Sequence, residues 1–466
     1  MSVSAARYEQ FLPEAEREAL RLALQQPIPP AIRLNPLKSA ASTADSLAAR
    51  YGWQITPVPF SPNGFQVENV ANTPLGGTLE HHNGIYYVQD AASMLPAMLF
   101  DFPPEAAPLI LDMAAAPGGK TTHLLDRIAD RGLVIANDSS ASRLSALRYN
   151  LHLWSASAWA MTNLPGERFG AAYPERFDAV LLDAPCSGEN LTRETREMSA
   201  KERAALTARQ LNLLLSALSA VKVGGEVVYA TCTLSPDEDE AILEAALRQL
   251  RGKIALEDAQ PRLPRAAYAL TQVGERAFDP AVRGAIRLYP HHYRTDGFFA
   301  AKFRKLAPLA TNAEASESSY REKSALIGKK SLAAIVAQLA AYGFSLDPLL
   351  EDYQLEAQQY GQAIYAVPRL LRAHFPDLPV RASGLLLGEV VREEFIPSQE
   401  LITRFPEQFQ TRRCTLAVDQ VAAFLRGDTL RPFEGEGIFL VQDHEGRLLG
   451  RGKAASGRFR TLLPRR

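Results

Sequence analysis

Apolar positions change their spacing along the chain, and the changes divide it. From Pro108 onward, short apolar runs alternate with amphipathic stretches. LILDM, beginning at Leu109, predicts a buried strand, and THLLDRIAD a helix with one apolar face. GLVIAND predicts a second strand ending in an acid, followed by a helix around Ser142 to His152, a short strand AWAMT and a strand FDAVLLDAP. Helical spacing returns from about Lys201 to Val221. GGEVVYATCTL is a further strand, Pro236 to Leu250 a helix, and DGFFAAKFRK a closing strand. This alternation predicts a doubly wound α/β sheet over residues 106–305.

The flanks differ. Residues 1–105 predict a mixed α/β extension containing IRLNPLK and YYVQDAASMLPAMLF, the latter starting as a strand and continuing as a helix. Residues 306–331, rich in Ala, Ser, Glu and Lys, predict a linker. Beyond them GQAIYAVP, GLLLGEV, GIFLVQD and RLLGRGK read as short strands, expected to form a small α+β domain over 332–385 and a second domain over 386–466. No internal repeat is evident.

A length of 466 residues exceeds one ordinary domain, and 47% hydrophobic with 22% charged residues supplies packed cores. A net charge of −1 argues against gripping nucleic acid through bulk charge, while leaving room for a local basic surface. The three cysteines, Cys186, Cys232 and Cys414, are widely spread and form no CxxC pair, so neither a disulfide framework nor a zinc site is expected. Free thiols suit a reducing cytoplasm. The N-terminus lacks the apolar core of a signal peptide, and no apolar run has membrane-spanning length. A cytoplasmic monomer without metal is expected.

The first candidate site is LILDMAAAPGGKTT, Leu109 to Thr122. Here a strand runs through small residues into a helix, which lets a ligand lie close to the backbone at a helix N-terminus. A phosphate-binding P-loop would need Gly where Ala114 stands, and a dinucleotide GxGxxG is absent. S-adenosylmethionine needs no phosphate cradle. It does need an acid for its ribose at the end of the second strand, where Asp138 lies. The alternative is an ordinary strand-to-helix turn.

The second candidate is a pair of thiols. Asp183-Ala184-Pro185-Cys186 ends one predicted strand and Thr231-Cys232-Thr233 another. Carboxyl ends of strands line the ligand crevice of an open α/β sheet, so two thiols and a carboxylate are expected in one cleft. Carbon 5 of cytosine is a poor nucleophile. Thiolate addition at carbon 6 converts the base to an enamine-like species that can attack a sulfonium methyl, and the thiolate is later a good leaving group. A carboxyl group on the base edge would stabilise developing charge, and a base must then remove the carbon 5 proton. The alternative is two small core cysteines.

These residues together resemble the Nop/Sun family of RNA 5-methylcytosine methyltransferases. The matching segments RLNPLK, QDAASMLP, LDMAAAPGGKTT, DAPCSGE, YATCTLSPDEDE and RLYPHHYRTDGFF run in the family's order from about Arg33 to Lys305. The resemblance implies a class I (Rossmann-like) methyltransferase sheet. In it Ala114, Ala115, Ala116, Pro117, Gly118, Gly119 and Lys120 form the S-adenosylmethionine loop and Asp138 holds the ribose. It also implies that Asp183 contacts the methionine end and the target base, that Lys120 reaches the base, that Cys232 is the nucleophile and that Cys186 assists proton removal and product release. GLLLGEVVREEFIPSQELI, FLRGDTL and LGRGKAASGRFRTLLPRR resemble the PUA-like RNA-binding end of the family's bacterial small-subunit ribosomal RNA enzymes. The basic run Arg451 to Arg466 is a phosphate surface or a solvated tail. Ribosomal RNA is the expected partner, with transfer RNA the rival substrate and a weakly active assembly factor the rival class.

Two departures stand out. After DAPCSGE the family's Asp-Pro is missing, with Asn190, Leu191 and Thr192 preceding Arg193, and Pro165 stands where the family tends to carry an acid near the adenine, leaving Asn163 or backbone as substitutes. His81-His82 and His291-His292 are adjacent pairs whose side chains are expected to diverge. Asp237, Glu238, Asp239 and Glu240 are expected to crowd a helix start, where acids suit the dipole. Arg33, Asn35 and Lys38 read either as RNA contacts or as a solvated loop face.

Overall fold

The computed structural model describes residues 8–38, 43–190, 198–310 and 325–463. Leu191 to Arg193, where the family pattern is lost, residues 311–324 of the expected linker, and the last three residues of the basic tail lie outside the described residues.

The N-terminal extension contains a four-stranded antiparallel sheet of β1 (Ala31–Leu34), β2 (Gln54–Pro57), β3 (Gly64–Glu68) and β4 (Tyr86–Val88), in the order β2-β3-β1-β4. A helix, Glu14–Leu24, precedes it, with Glu14 and Glu16 in its first turn and Arg21 in its last, as the helix dipole favours.

The central sheet follows the predicted alternation. Its parallel strands are β5 (Leu109–Asp112), β6 (Leu133–Asn137), β7 (Trp159–Thr162), β8 (Phe177–Asp183) and β9 (Val221–Thr231). Helices cover both faces, so β5 and β6 are buried at every position, which explains their unbroken apolar runs. The helix Ala200–Ala220 lies against β8 and β9 and buries Leu213, Leu214, Ala217 and Leu218. It is started by a capping box in which the Ser199 hydroxyl accepts from the Glu202 N–H and the Glu202 carboxylate accepts from the Ser199 N–H. Beyond β9 lie β10 (Ile254–Glu257), the small hairpin β11 (Gln272–Val273) and β12 (Arg276–Ala277), β13 (Ile286–Leu288) and β14 (Phe298–Lys305). The order is β10-β14-β9-β8-β5-β6-β7, with β14 antiparallel to β9 and β13 paired to β14. Strand order reverses between β5 and β8, which places the ligand crevice beyond their carboxyl ends.

The C-terminal part holds two sheets. One contains β15 (Ala325–Leu326), β16 (Leu355–Tyr360), β17 (Ala363–Pro368), β19 (Leu385–Val391) and β20 (Glu394–Pro397), while β18 (Val380–Ser383) leaves it to pair antiparallel with β7 and extend the central sheet. The other contains β21 (Arg413–Thr415), β22 (Gly437–Gln442), β23 (Leu448–Ala455) and β24 (Arg458–Thr461). Two expected boundaries shift. Residues 385 and 386 open one strand, β19, which is paired to β17 and β20, so a single sheet crosses the expected division. The expected linker ends early, because Leu326 pairs with Gln358 and a helix starts at Lys329.

Candidate active site

Three adjacent strands end at one place. At the end of β5 the backbone turns through Ala114–Pro117 into a helix, Gly119–Arg127. Gly118 caps that helix with φ of +114°, a conformation glycine adopts without strain, and a Cβ there would lie 3.2 Å from the Leu147 side chain. The loop is pinned on the β6 side, where the Ala115 N–H donates to the Asn137 carbonyl (2.7 Å) and the Ala116 N–H to the Asp138 carboxylate (3.1 Å). Asp138 also accepts from the Ser140 N–H (2.9 Å) and lies 3.4 Å from Arg143. Near Pro165, the Asn163 amide is held on the Asp138 carbonyl (2.7 Å).

Asp112, at the end of β5, is buried and accepts from the Thr121 hydroxyl at 2.6 Å. Burial pushes its carboxyl up to about 7, against the lowering effect of the Thr121 bond. Lys120 reaches from the first turn of the helix to Asp183 at the end of β8, with Nζ 2.7 Å from Oδ2 and 5.6 Å from the centre of the Phe298 ring. Burial lowers the Lys120 pKa, but Asp183, Asp112 and the Cys232 thiol raise it further, so the ammonium stays charged.

The thiols meet because of strand register. Asp183 of β8 lies opposite Ala230 of β9, so Cys186 and Cys232 emerge just past the same end of the sheet. Their sulfur atoms are 3.2 Å apart. Cys232 is exposed and Cys186 half-buried, which removes the reading of both as packed core residues. The Cys186 thiol is held well above its ordinary range by its contact with Cys232 and by burial, so it stays protonated at neutral pH.

A carboxylate of the acidic run, whose role patterning did not show, holds the two cysteine loops together. Glu238 is buried and accepts from the Ser187 N–H (2.9 Å), the Ser187 hydroxyl (2.5 Å) and the Gln210 amide (3.0 Å). Ser187 follows Cys186, and its hydroxyl lies 3.2 Å from that of Thr233, which follows Cys232. The acidic run does crowd a helix start, with Asp239 at the cap and Glu240 in the first turn, but Glu238 has this second role as well. Its helix starts at Glu240, and only Asp237 of the four is exposed. Asp239 accepts from the Thr231 hydroxyl (2.7 Å), and buried Arg287 lies 3.0 Å from Glu240 and 3.4 Å from Asp239.

Two other expectations are corrected. Arg33, Asn35 and Lys38 are not a solvated loop face, because all three are buried. Arg33 lies beneath the Trp154 ring and donates to Gln89, Thr122 and the Gly119 carbonyl, and it pairs with Asp126. It thus fixes the N-terminal extension under the cofactor helix. His291 and His292 do not diverge, since their Nε2 atoms lie 3.1 and 3.6 Å from one Glu16 oxygen. The Tyr289 N–H donates to His292 Nδ1, which leaves Nε2 as the protonated nitrogen of the neutral ring and makes the cluster a hydrogen-bonded dock for the N-terminal helix.

The donor set fits S-adenosylmethionine. Carboxylates at the ends of β5, β6 and β8 surround a small-residue loop at a helix N-terminus, where a cationic amine, a carboxylate and ribose hydroxyls each find a partner. Residues 99–304 match the family "16S rRNA methyltransferase RsmB/F", and residues 5–91 the "N-terminal domain of 16S rRNA methyltransferase RsmF". The chain is 31% identical to the ribosomal RNA small subunit methyltransferase F of Pectobacterium carotovorum over 95% of its length and 90% of the relative's. It is 32% identical to that of Klebsiella pneumoniae over 95% and 91%. The chain belongs to the ribosomal RNA small subunit methyltransferase F family. As a member it is an S-adenosylmethionine-dependent RNA (cytosine-5) methyltransferase. Among solved structures, a methyltransferase homolog from Pyrococcus horikoshii matches with a TM-score of 0.55 and 31% identity, covering 65% of this chain and 94% of that one. NSun6 from the same organism, solved with SFG, matches in fold with a TM-score of 0.53 at 20% identity, covering 66% and 98%.

Proposed function

We propose that the protein methylates a cytosine of 16S ribosomal RNA and that Cys232 is its nucleophile. The thiolate of Cys232 adds to carbon 6 of the cytosine, and the Lys120–Asp183 pair hydrogen-bonds the base edge and stabilises the charge that develops there. S-adenosylmethionine, held by Ala114 to Lys120, Asp138 and Asp183, supplies the electrophilic methyl group. Cys186 relays the carbon 5 proton, taking it up as its own thiol proton passes to solvent, after which the Cys232–carbon 6 bond breaks and the thiolate leaves. The observation that carries this reading is the 3.2 Å approach of an exposed and a half-buried thiol beside the Lys120–Asp183 pair. The C-terminal part, including the sheet of β21 to β24, serves as a PUA-like RNA-binding region. Among the described residues no helix is long and apolar enough to cross a membrane.

The test is incubation with labelled S-adenosylmethionine and small ribosomal subunits lacking the modification, followed by bisulfite mapping. One protected cytosine in 16S RNA is expected with the unaltered chain and none with Cys232→Ala. Label in transfer RNA alone, or full transfer by Cys232→Ala, would contradict the reading.

A further inference from the structure

A cleft of about 1800 Å³ opens where three parts of the chain meet. The N-terminal extension, the helix Leu144–Trp154 and both C-terminal sheets contribute to its walls. The volume exceeds the roughly 300–1,000 Å³ of small-molecule pockets. Arg148, Arg381, Arg426 and Arg460 line it and are exposed, and Glu400 is the one acid among its described lining residues. Arg426 shares its charge with Asp428 at 2.8 Å. Two tyrosines present open rings in the same walls, Tyr149 at 60% and Tyr360 at 54% exposure.

The basic C-terminal run contributes selectively. Arg451 donates to the Pro397 carbonyl and Lys453 lies 3.1 Å from Glu394, so these two cations are engaged within the fold. Arg460 faces the cleft. The cleft is formed by docking. β18 joins β7, Arg404 of the C-terminal part pairs with buried Asp130, and Lys38 donates to Asn83, Leu153 and Thr403 from three segments. β7, which β18 joins, lies in the same sheet as β8, three strands away or roughly 15 Å at ordinary strand spacing.

We propose that this cleft binds a single-stranded segment of the substrate RNA, with Arg148 and Arg460 on phosphates and Tyr149 and Tyr360 stacking on bases. Cations interleaved with exposed aromatic rings are the arrangement that holds single strands, because phosphates supply charge and every base supplies a π-face. The inference rests on the reading of the protein as an RNA methyltransferase and adds where RNA outside the catalytic centre is held.

The test uses the full chain and a fluorescent single-stranded oligoribonucleotide carrying the methylated sequence, titrated by anisotropy over a salt series. Arg148→Gln with Arg460→Gln is expected to weaken binding about tenfold and to make the log–log salt slope shallower by about 1.4, the loss of two phosphate contacts to a single strand. Tyr149→Ala is expected to weaken binding about fivefold or more with an unchanged slope. S-adenosylmethionine affinity should be unaltered in every variant, which shows that the fold is intact. Parental RNA affinity and slope in both variants would overturn the inference. So would displacement of the RNA by polyglutamate as effective as by unlabelled RNA, which would assign the cleft to an acidic protein. Methyl transfer by the unaltered chain is measured in parallel. No transfer overturns the functional reading itself, whereas transfer with unaffected binding by the variants overturns the cleft alone.

Discussion

At the scale of single residues, the site depends on side chains that hold the reacting groups as much as on those groups. Glu238 bridges the loops of Cys186 and Cys232 through Ser187 and Thr233. Removing its carboxylate leaves buried donors on Ser187 and Gln210 without an acceptor, at a cost of about 1–3 kcal/mol, and releases one thiol from the other. Glu238→Ala is expected to lower kcat about 100-fold with little change in the KM for RNA, since a small misplacement of reacting groups has that effect. Glu238→Gln, which keeps an acceptor oxygen in the same shape, should recover most of it. Steady-state kinetics with unmodified subunits check this, and a Glu238→Ala enzyme with parental kcat and only a lower Tm would make the residue merely structural. The sequence disclosed Cys186, Cys232, Asp183 and Asp138 because each ends an apolar strand. It did not disclose Glu238, because a run of four acids looks alike whether it faces water or a buried hydroxyl.

At the scale of elements, strand and helix periodicity was legible wherever a segment is covered on a fixed face. Four of the five parallel strands and the helix Ala200–Ala220 lie within a residue or two of expectation, whereas β9 starts and ends three residues earlier. What periodicity could not show was which polar residues are buried between elements. The dock of the Glu14–Leu24 helix is one such place. His292, pushed down to about 4 by burial and by its neighbours His291 and Arg265, binds fewer protons folded than unfolded between pH 4 and 6.5. Stability from this group is therefore complete above about pH 6.5 and is lost as pH falls toward 4, by at most about 1.4 kcal/mol per pH unit. The buried carboxyls of Asp112 and Asp126, pushed up to about 7 by burial, act in the opposite sense, so the comparison must be between variants. His292→Gln is expected to flatten the fall in Tm between pH 6.5 and 4.5. An unchanged pH dependence in that variant would show that the imidazole stays solvated.

At the scale of the whole molecule, the N-terminal extension and the C-terminal sheets are built onto the catalytic sheet by buried charges. Arg33 pairs with Asp126 and Arg404 with Asp130, while Lys38 spans three segments. Such ties join positions 45 to 365 residues apart, and no local pattern announces them. For the same reason β18, which crosses into the central sheet, was hidden inside a segment that reads as a separate domain. LDMAAAPGGKTT, DAPCSGE and YATCTLSPDEDE were legible because each sits at a strand end on one crevice. The central claim is that the two thiols divide the reaction, one forming the bond to the base and the other enabling its release. The most direct measurement is mass spectrometry of the protein–RNA adduct that accumulates in a Cys186→Ala variant incubated with S-adenosylmethionine and unmodified subunits. The arrangement predicts a methylated nucleotide attached to the peptide containing Cys232, and no adduct in Cys232→Ala. A nucleotide attached to any other residue, or adduct-free turnover by the Cys186→Ala enzyme at the parental rate, would contradict it.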